Sequence, residues 1–276
     1  MVSALLAGDV ALSDSASLRR LLVLADRLVR DEGGCGEGSP WLNELDDGGK
    51  ALEMQREHDC VAFTAEQEKV ARLVHQVRHS DASKAFRMLT MLRQYFDLGG
   101  PHRMVFTLPA TVVATLGLVE SLVRNEQQAG REALVELFAF ARGMCTSLDS
   151  LHERETLRLW LLCASAVERA GRALAATQAL PGICAGFLES ALSFLEDDVT
   201  SPPAVQLRGL QLAIGTLREC IGMEAGAYSA VAGRCVALAC QLPSKHLQCR
   251  GLCAAAALFS GPAHRAPARA LGCLRR

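Results

Sequence analysis

Two histidines four residues apart, His75 and His79, are the first residues in this sequence whose spacing suggests chemistry. On a helix that spacing puts both imidazoles on one face, the arrangement that holds zinc in metalloproteases, where an intervening glutamate serves as general base. Here Gln76 takes that glutamate's place and no third ligand is evident. The pair is therefore expected to face solvent near a helix C-terminus, where positive charge is favoured. Ser150, His152 and Glu153 bring a hydroxyl, an imidazole and a carboxylate close in sequence. A triad is defined by geometry, however, and no G-x-S-x-G turn accompanies them, so they read as a helix start. Gly222, Gly226 and Gly233 lack the strand and tight Gly-rich turn that cradle a phosphate. Glu196-Asp197-Asp198 reads as a solvated loop or a polar patch facing another protein. No catalytic, cofactor or metal residue is expected.

The eleven cysteines raise a separate question, because nine of them (145, 163, 184, 220, 235, 240, 249, 253 and 273) fall in helix-like segments. No C-x-x-C pair occurs among them. Zinc sites usually show close ligand pairs, and disulfide frameworks belong to small secreted chains with weak cores. These thiols are expected to pack as small hydrophobes.

The elements that would position such residues follow from composition and periodicity. The chain has 276 residues, half of them hydrophobic, which is enough for a sizeable core. Lys plus Arg number 29 against 30 Asp plus Glu, so no strong field points to nucleic acid or to an acidic membrane surface. The longest apolar run, Gly251 to Phe259, is shorter than the roughly 20 residues of a membrane-spanning helix. Asp9 and Asp14 interrupt the N-terminus early, which argues against a secretory signal and for the cytosol.

Three segments are predicted. Residues 1–31 hold one helix, Ser17 to Arg30, with an apolar face of Leu18, Leu21, Leu22, Leu24, Ala25 and Leu28. Residues 32–62, rich in glycine and acidic side chains, are expected to be a flexible linker, having too little apolar surface to offset ordering entropy. Residues 63–276 are expected to be a helical-repeat solenoid. Thr64 and Gln67 form a capping-box pattern ahead of Val70, Leu73, Val74 and Val77. After the turn at Ser80-Asp81, Ala85, Met88, Leu89, Leu92 and Phe96 mark the next helix. Gly99-Gly100-Pro101 should stop it, Arg103 to Leu108 should cross in extended form, and Pro109 should open another helix. Pairs are then predicted over 109–125 with 130–147, 152–171 with 176–196, 203–219 with 226–240, and 245–260 with 264 to the end. Pair starts recur at about 40 to 50 residues, the period of HEAT or armadillo-type repeats. The predicted class is all-α, an α-solenoid of antiparallel helix pairs.

Four separated motifs carry a family resemblance. They are Glu66-Gln67 to Val74; the pattern Gly99, Gly100, Arg103, Phe106, Thr107, Leu108, Pro109; Ser193 to Asp198 with Gln206 to Arg218; and Gln248-Cys249-Arg250 before Ala257-Leu258-Phe259. In order and separation they resemble the C-terminal half of the vacuolar protein sorting-associated protein 35 family, the large scaffold subunit of retromer. The resemblance implies a non-enzymatic α-solenoid in an endosomal coat for retrograde or recycling transport of membrane cargo. It implies a cytoplasmic protein held peripherally, through its complex, on endosomal membranes. The implied partner is the vacuolar protein sorting-associated protein 29 subunit. Docking of the protein 26 subunit is in doubt, because the family's Pro-Arg-Leu-Tyr-Leu motif is absent, and the chain reads as a partial or divergent member. On the same motifs, Phe106, Leu108, Pro109, Gln248 and Arg250 are the residues expected at a partner surface. A generic HEAT-like adaptor outside endosomal sorting, or a metal-dependent helical enzyme using His75 and His79, are the alternatives that the residues alone leave open.

Overall fold

A computed structural model of the chain describes residues 12–29, 49–125, 130–149, 151, 154–174, 179–197, 201–260 and 266–275. The fold is all-α. The helices are α1 (Ser15–Leu24), α2 (Asp26–Val29), α3 (Gly49–Gln76), α4 (Ala82–Phe96), α5 (Pro101–Arg124), α6 (Arg131–Asp149) and α7 (Arg154–Ala173). They continue with α8 (Ala179–Asp197), α9 (Pro203–Glu219), α10 (Ala225–Gln241), α11 (Lys245–Ala256) and α12 (Pro267–Leu274). Extended pairing among the described residues amounts to one isolated bridge between Leu12 and Val77. The chain forms two compact units, Met1–Leu118 and Val119–Arg276, so the boundary falls inside α5. This differs from the predicted division at residues 31 and 62.

In the first unit the capping signals act as their residue types predict. The Asp14 carboxylate accepts from the backbone N–H groups of Ala16 and Ser17, and Asp81 does the same for Ser83 and Lys84 at the start of α4. Both satisfy donors that a helix N-terminus leaves unpaired. The α4 stripe Ala85, Met88, Leu89, Leu92 and Phe96 is buried as its spacing predicts. Polar contacts tie α1 and α2 to this core: the Tyr95 hydroxyl lies 2.5 Å from both the Leu22 carbonyl and Asp26 Oδ1. The Leu28 carbonyl accepts from Gln67 Nε2 at 3.0 Å and from Arg103 Nη1 at 2.6 Å, which pairs an otherwise orphaned helix-end acceptor.

Two expectations need correction here. Helix α3 begins at Gly49 and not at Thr64, so positions 49–62 of the predicted linker are helical and Thr64 lies mid-helix. The run Ala51-Leu52-Glu53-Met54-Gln55-Arg56-Glu57 consists of strong helix formers, and that propensity needs no apolar stripe. Positions 32–48 of that linker lie outside the described residues. The extended crossing at Arg103 to Leu108 is also not found, because those residues belong to α5. Gly100, at φ 72°, makes the break, and Pro101, not Pro109, occupies the first helical position.

Pro109 sits inside α5. There it removes one backbone donor, at a price of about 3 kcal/mol or more in a helix interior. Flanking it, Thr107, Thr111 and Thr115 bond their hydroxyls back to the carbonyls of Arg103, Thr107 and Thr111, so each buried hydroxyl is satisfied within the helix. Leu108, Val112, Leu116 and Val119 form a buried stripe on the same helix. Among the described residues α5 is the one helix long and apolar enough to cross a membrane. Its buried stripe, with Val113 exposed and Glu120 paired to Arg169, is the pattern of a core helix.

The second unit stacks α6 to α12 in chain order. Helix α7 packs along α8, α9 along α10, and α11 against both α10 and α12, with further contacts of α6 to α7 and α8 and of α9 to α7 and α8. Short connections between long helices make neighbours antiparallel. Helices α7 to α10 each touch both their hairpin partner and the next pair, the packing of an α-solenoid. Its largest buried side chain is Trp160 of α7, tilted against Phe187 of α8 at 5.7 Å between ring centroids. Phe138 of α6 meets Phe187 edge-on at 6.3 Å. Gly251 lets α11 approach α10: a Cβ there would lie 3.0 Å from the Ala239 Cβ.

Candidate functional site

The residues expected at a partner surface fall into both units. Phe106, Leu108 and Pro109 lie in the first and Gln248 and Arg250 in the second. Leu108 is fully buried, which corrects its assignment: a buried side chain presents nothing to a folded partner. Phe106 is half-buried and meets Phe63 edge-on at 6.2 Å, with the Arg103 guanidinium 5.2 Å from the Phe63 ring centroid. Gln248 serves its own helix terminus, donating to the Leu242 carbonyl at 2.7 Å and accepting from Lys245 at 3.1 Å. Arg250 is exposed.

The histidine pair does not share a helical face. Helix α3 ends at Gln76, and His79, beyond it, accepts the Asp81 N–H on Nδ1 at 2.8 Å. Ser150, His152 and Glu153 lie outside the described residues. Glu196 is not an acid/base partner but half of a clamp between α8 and α10. Arg234 reaches its two carboxylate oxygens at 3.1 and 2.6 Å, and also contacts Ser193 Oγ at 3.1 Å and the Glu189 carbonyl at 3.3 Å. This fork geometry is what guanidinium offers a carboxylate.

One cluster of chemistry-bearing residues escapes any reading by short spacing. Glu168 of α7, Cys184 of α8 and Cys220, just past α9, converge with one ligand atom each, all within 4.8 Å of one another and all buried. The two sulfurs stand 3.5 Å apart. Cys184 also lies 3.6 Å from the Ala164 carbonyl and Cys220 3.2 Å from the Thr216 carbonyl. Glu168 Oε1 accepts the Gly222 N–H at 3.1 Å, and Arg172 Nε approaches the same oxygen at 3.6 Å. A cavity of about 120 Å³ adjoins the cluster, lined by Val167, Glu168, Gly171, Arg172, Leu180, Cys184 and Gly222. The Cys184 contact and burial both push the Cys220 thiol well above its ordinary range. The same two causes act on Cys163 beside Cys145, and burial alone raises Cys235 to about 12. These are protonated thiols rather than nucleophiles.

With the helix order and stacked pairs established, comparison with known proteins gives the lineage. A family model described as vacuolar protein sorting-associated protein 35 matches residues 1–276. The chain belongs to that family. Among curated relatives it is similar to vacuolar protein sorting-associated protein 35A of Arabidopsis thaliana, 29% identical over 223 residues, covering 79% of this chain and 27% of the relative. It is also similar to proteins 35B and 35C of the same plant, each 25% identical over 71% of this chain and 24% of the relative. The chain thus spans about a quarter of the length of the curated relatives it matches. Among the described residues, the motifs that carry the resemblance lie on α3, at the turn into α5 and its first residues, on α8 and α9, and on α11 with the turn that follows it.

Positions 168, 184 and 220 were missed by sequence reasoning because sixteen and thirty-six positions separate them, against the two to five that mark a metal-ligand pair. One signal was present. Glu168 continues the i, i+4 line of Trp160 and Ala164 on one helical face, where an unpaired carboxylate would be costly to bury.

Proposed function

We propose that this chain acts as a non-enzymatic scaffold segment of a retromer-type endosomal coat, serving retrograde or recycling transport of membrane proteins. The observation that carries the reading is the family match along the whole of residues 1–276. The stacked helix pairs of the second unit support it, since such stacks offer extended surfaces on which a few buried anchors supply most of the binding energy. In this role the chain is cytoplasmic and reaches the endosomal membrane through its complex.

The partner under this proposal is the vacuolar protein sorting-associated protein 29 subunit, bound along one face of the stacked helices. A stable contact of this kind buries at least about 1,000 Å², which requires several adjacent pairs. Arg250, exposed on α11, and the half-buried Phe106, Pro109 and Gln248 are the expected contact residues whose side chains are not closed off. No role is assigned to the protein 26 subunit. Titration calorimetry of the purified chain with the cognate protein 29 subunit should give saturable binding. Absence of heat and of co-elution at high micromolar concentration, with helicity intact, would end the proposal for this chain.

A further inference from the structure

We propose that Cys184, Cys220 and Glu168 form a binding site for a thiophilic divalent cation of the zinc type, pinning α7, α8 and the end of α9 together. The geometry fits such an ion closely. Two thiolates bonded to zinc at about 2.3 Å, at the tetrahedral angle, stand roughly 3.8 Å apart. The two sulfurs here are 3.5 Å apart, and the carboxylate oxygen lies within 4.8 Å of both. A sulfur–sulfur bond would need about 2.05 Å. Both existing contacts of Glu168 fall on Oε1, so Oε2 is the oxygen that turns to the ion while Gly222 and Arg172 hold the carboxylate in place. Partners of that kind orient metal ligands and tune affinity.

Charge and access are also provided. Binding expels one proton from each thiol to solvent, leaving two thiolates, one carboxylate and a doubly charged cation, a net single negative charge. The Arg172 guanidinium beside Glu168 neutralises it. The adjoining cavity, lined by Glu168, Cys184 and the half-exposed Arg172, gives the ion a way in and leaves room for a water in the fourth position. The three ligands come from successive helical elements, so the ion would add a cross-link to a stack held otherwise by side-chain packing and polar contacts such as the Arg234–Glu196 clamp. This inference is independent of the scaffold proposal and stands or falls separately.

Cobalt titration of the reduced, metal-stripped 276-residue chain tests it. One cobalt ion per chain should bind, with the visible bands of a tetrahedral ion and a thiolate-to-cobalt charge-transfer band, and zinc should displace it. Cys184→Ser and Cys220→Ser should each weaken cobalt binding by more than about 100-fold, and Arg172→Gln by about 10- to 100-fold, the range for residues that support a metal ligand. The exposed pair Cys249 and Cys253 on α11 is the internal rival. The C249S/C253S double variant should keep the tetrahedral spectrum. Loss of the spectrum in that variant, retention of it in C184S, or no cobalt bands in the wild-type chain would each overturn the site. Because the wild-type spectrum itself reports thiolate ligation, the test holds even where a buried serine impairs folding.

Discussion

Replacing Trp160 with alanine should remove the largest side chain from the seam between α7 and α8 and unseat the pairs on either side. The indole is 1% exposed, is tilted against Phe187 at 5.7 Å, and donates from Nε1 to Asp149 Oδ1 at 3.3 Å. An aromatic side chain buries about 150–250 Å², which at about 25 cal/mol per Å² corresponds to roughly 4–6 kcal/mol. Alanine keeps part of this and the seam relaxes a little, so a net loss of about 3–5 kcal/mol is expected. With a urea dependence of about 2 kcal/mol per M, the unfolding midpoint should fall by roughly 2 M. Trp160→Phe should recover much of the loss while forgoing the indole N–H bond. A double-mutant cycle with Phe187→Leu should return a coupling of about 0.5–1.5 kcal/mol, the excess worth of an aromatic pair. Helicity followed by circular dichroism across the urea range is the assay. A midpoint for Trp160→Ala within about 0.3 M of the parent would refute the placement of this side chain at the centre of the stack.

Three further outcomes can be checked. Gly251→Val should destabilise the second unit by about 1–3 kcal/mol in thermal melts, because the new side chain meets the Cβ and backbone Cα of Ala239 on the facing helix. Asp81 has its carboxyl held below the ordinary carboxylate value, first by the Lys84 N–H, so its contribution is present above about pH 3.9 and is lost as pH falls through its lower folded value. Asp81→Asn, which still caps, should flatten that acid-side loss, and an unchanged acid limb in its pH titration of helicity would count against it. Phe106→Ala should lower the stability of the first unit through its contact with Phe63; measured well below melting, unchanged partner affinity would remove Phe106 from the binding surface.

What was legible in the sequence depended on how local the cause was. The break at Ser80-Asp81 and the α4 stripe could be read because turn residues and helical spacing act within one or two turns. The early start of α3 could not, since its first half is helical by propensity without an apolar pattern to reveal it. Pro109 misled for a related reason: proline ordinarily marks a boundary, but here buried neighbours on α5 hold the helix together through it. The Glu168, Cys184 and Cys220 cluster depends on three elements meeting in space, and no periodicity within one segment encodes that.

The placement of the thiols supplies the second unit with built-in clocks. Cys145, Cys163, Cys184, Cys235 and Cys273 are buried on α6, α7, α8, α10 and α12, and Cys220 is buried at the end of α9. A thiol reagent, far larger than the ion that the cavity beside Cys184 admits, can reach each of them only while its own stretch of the stack is open, so the labelling rate at each position reports a local opening equilibrium. Mass spectrometry of the untouched chain would yield a map of those openings along successive helices without introducing a single probe. A shared rate at all six would mean the stack opens as one body, whereas graded rates would mean that neighbouring helices separate in turn.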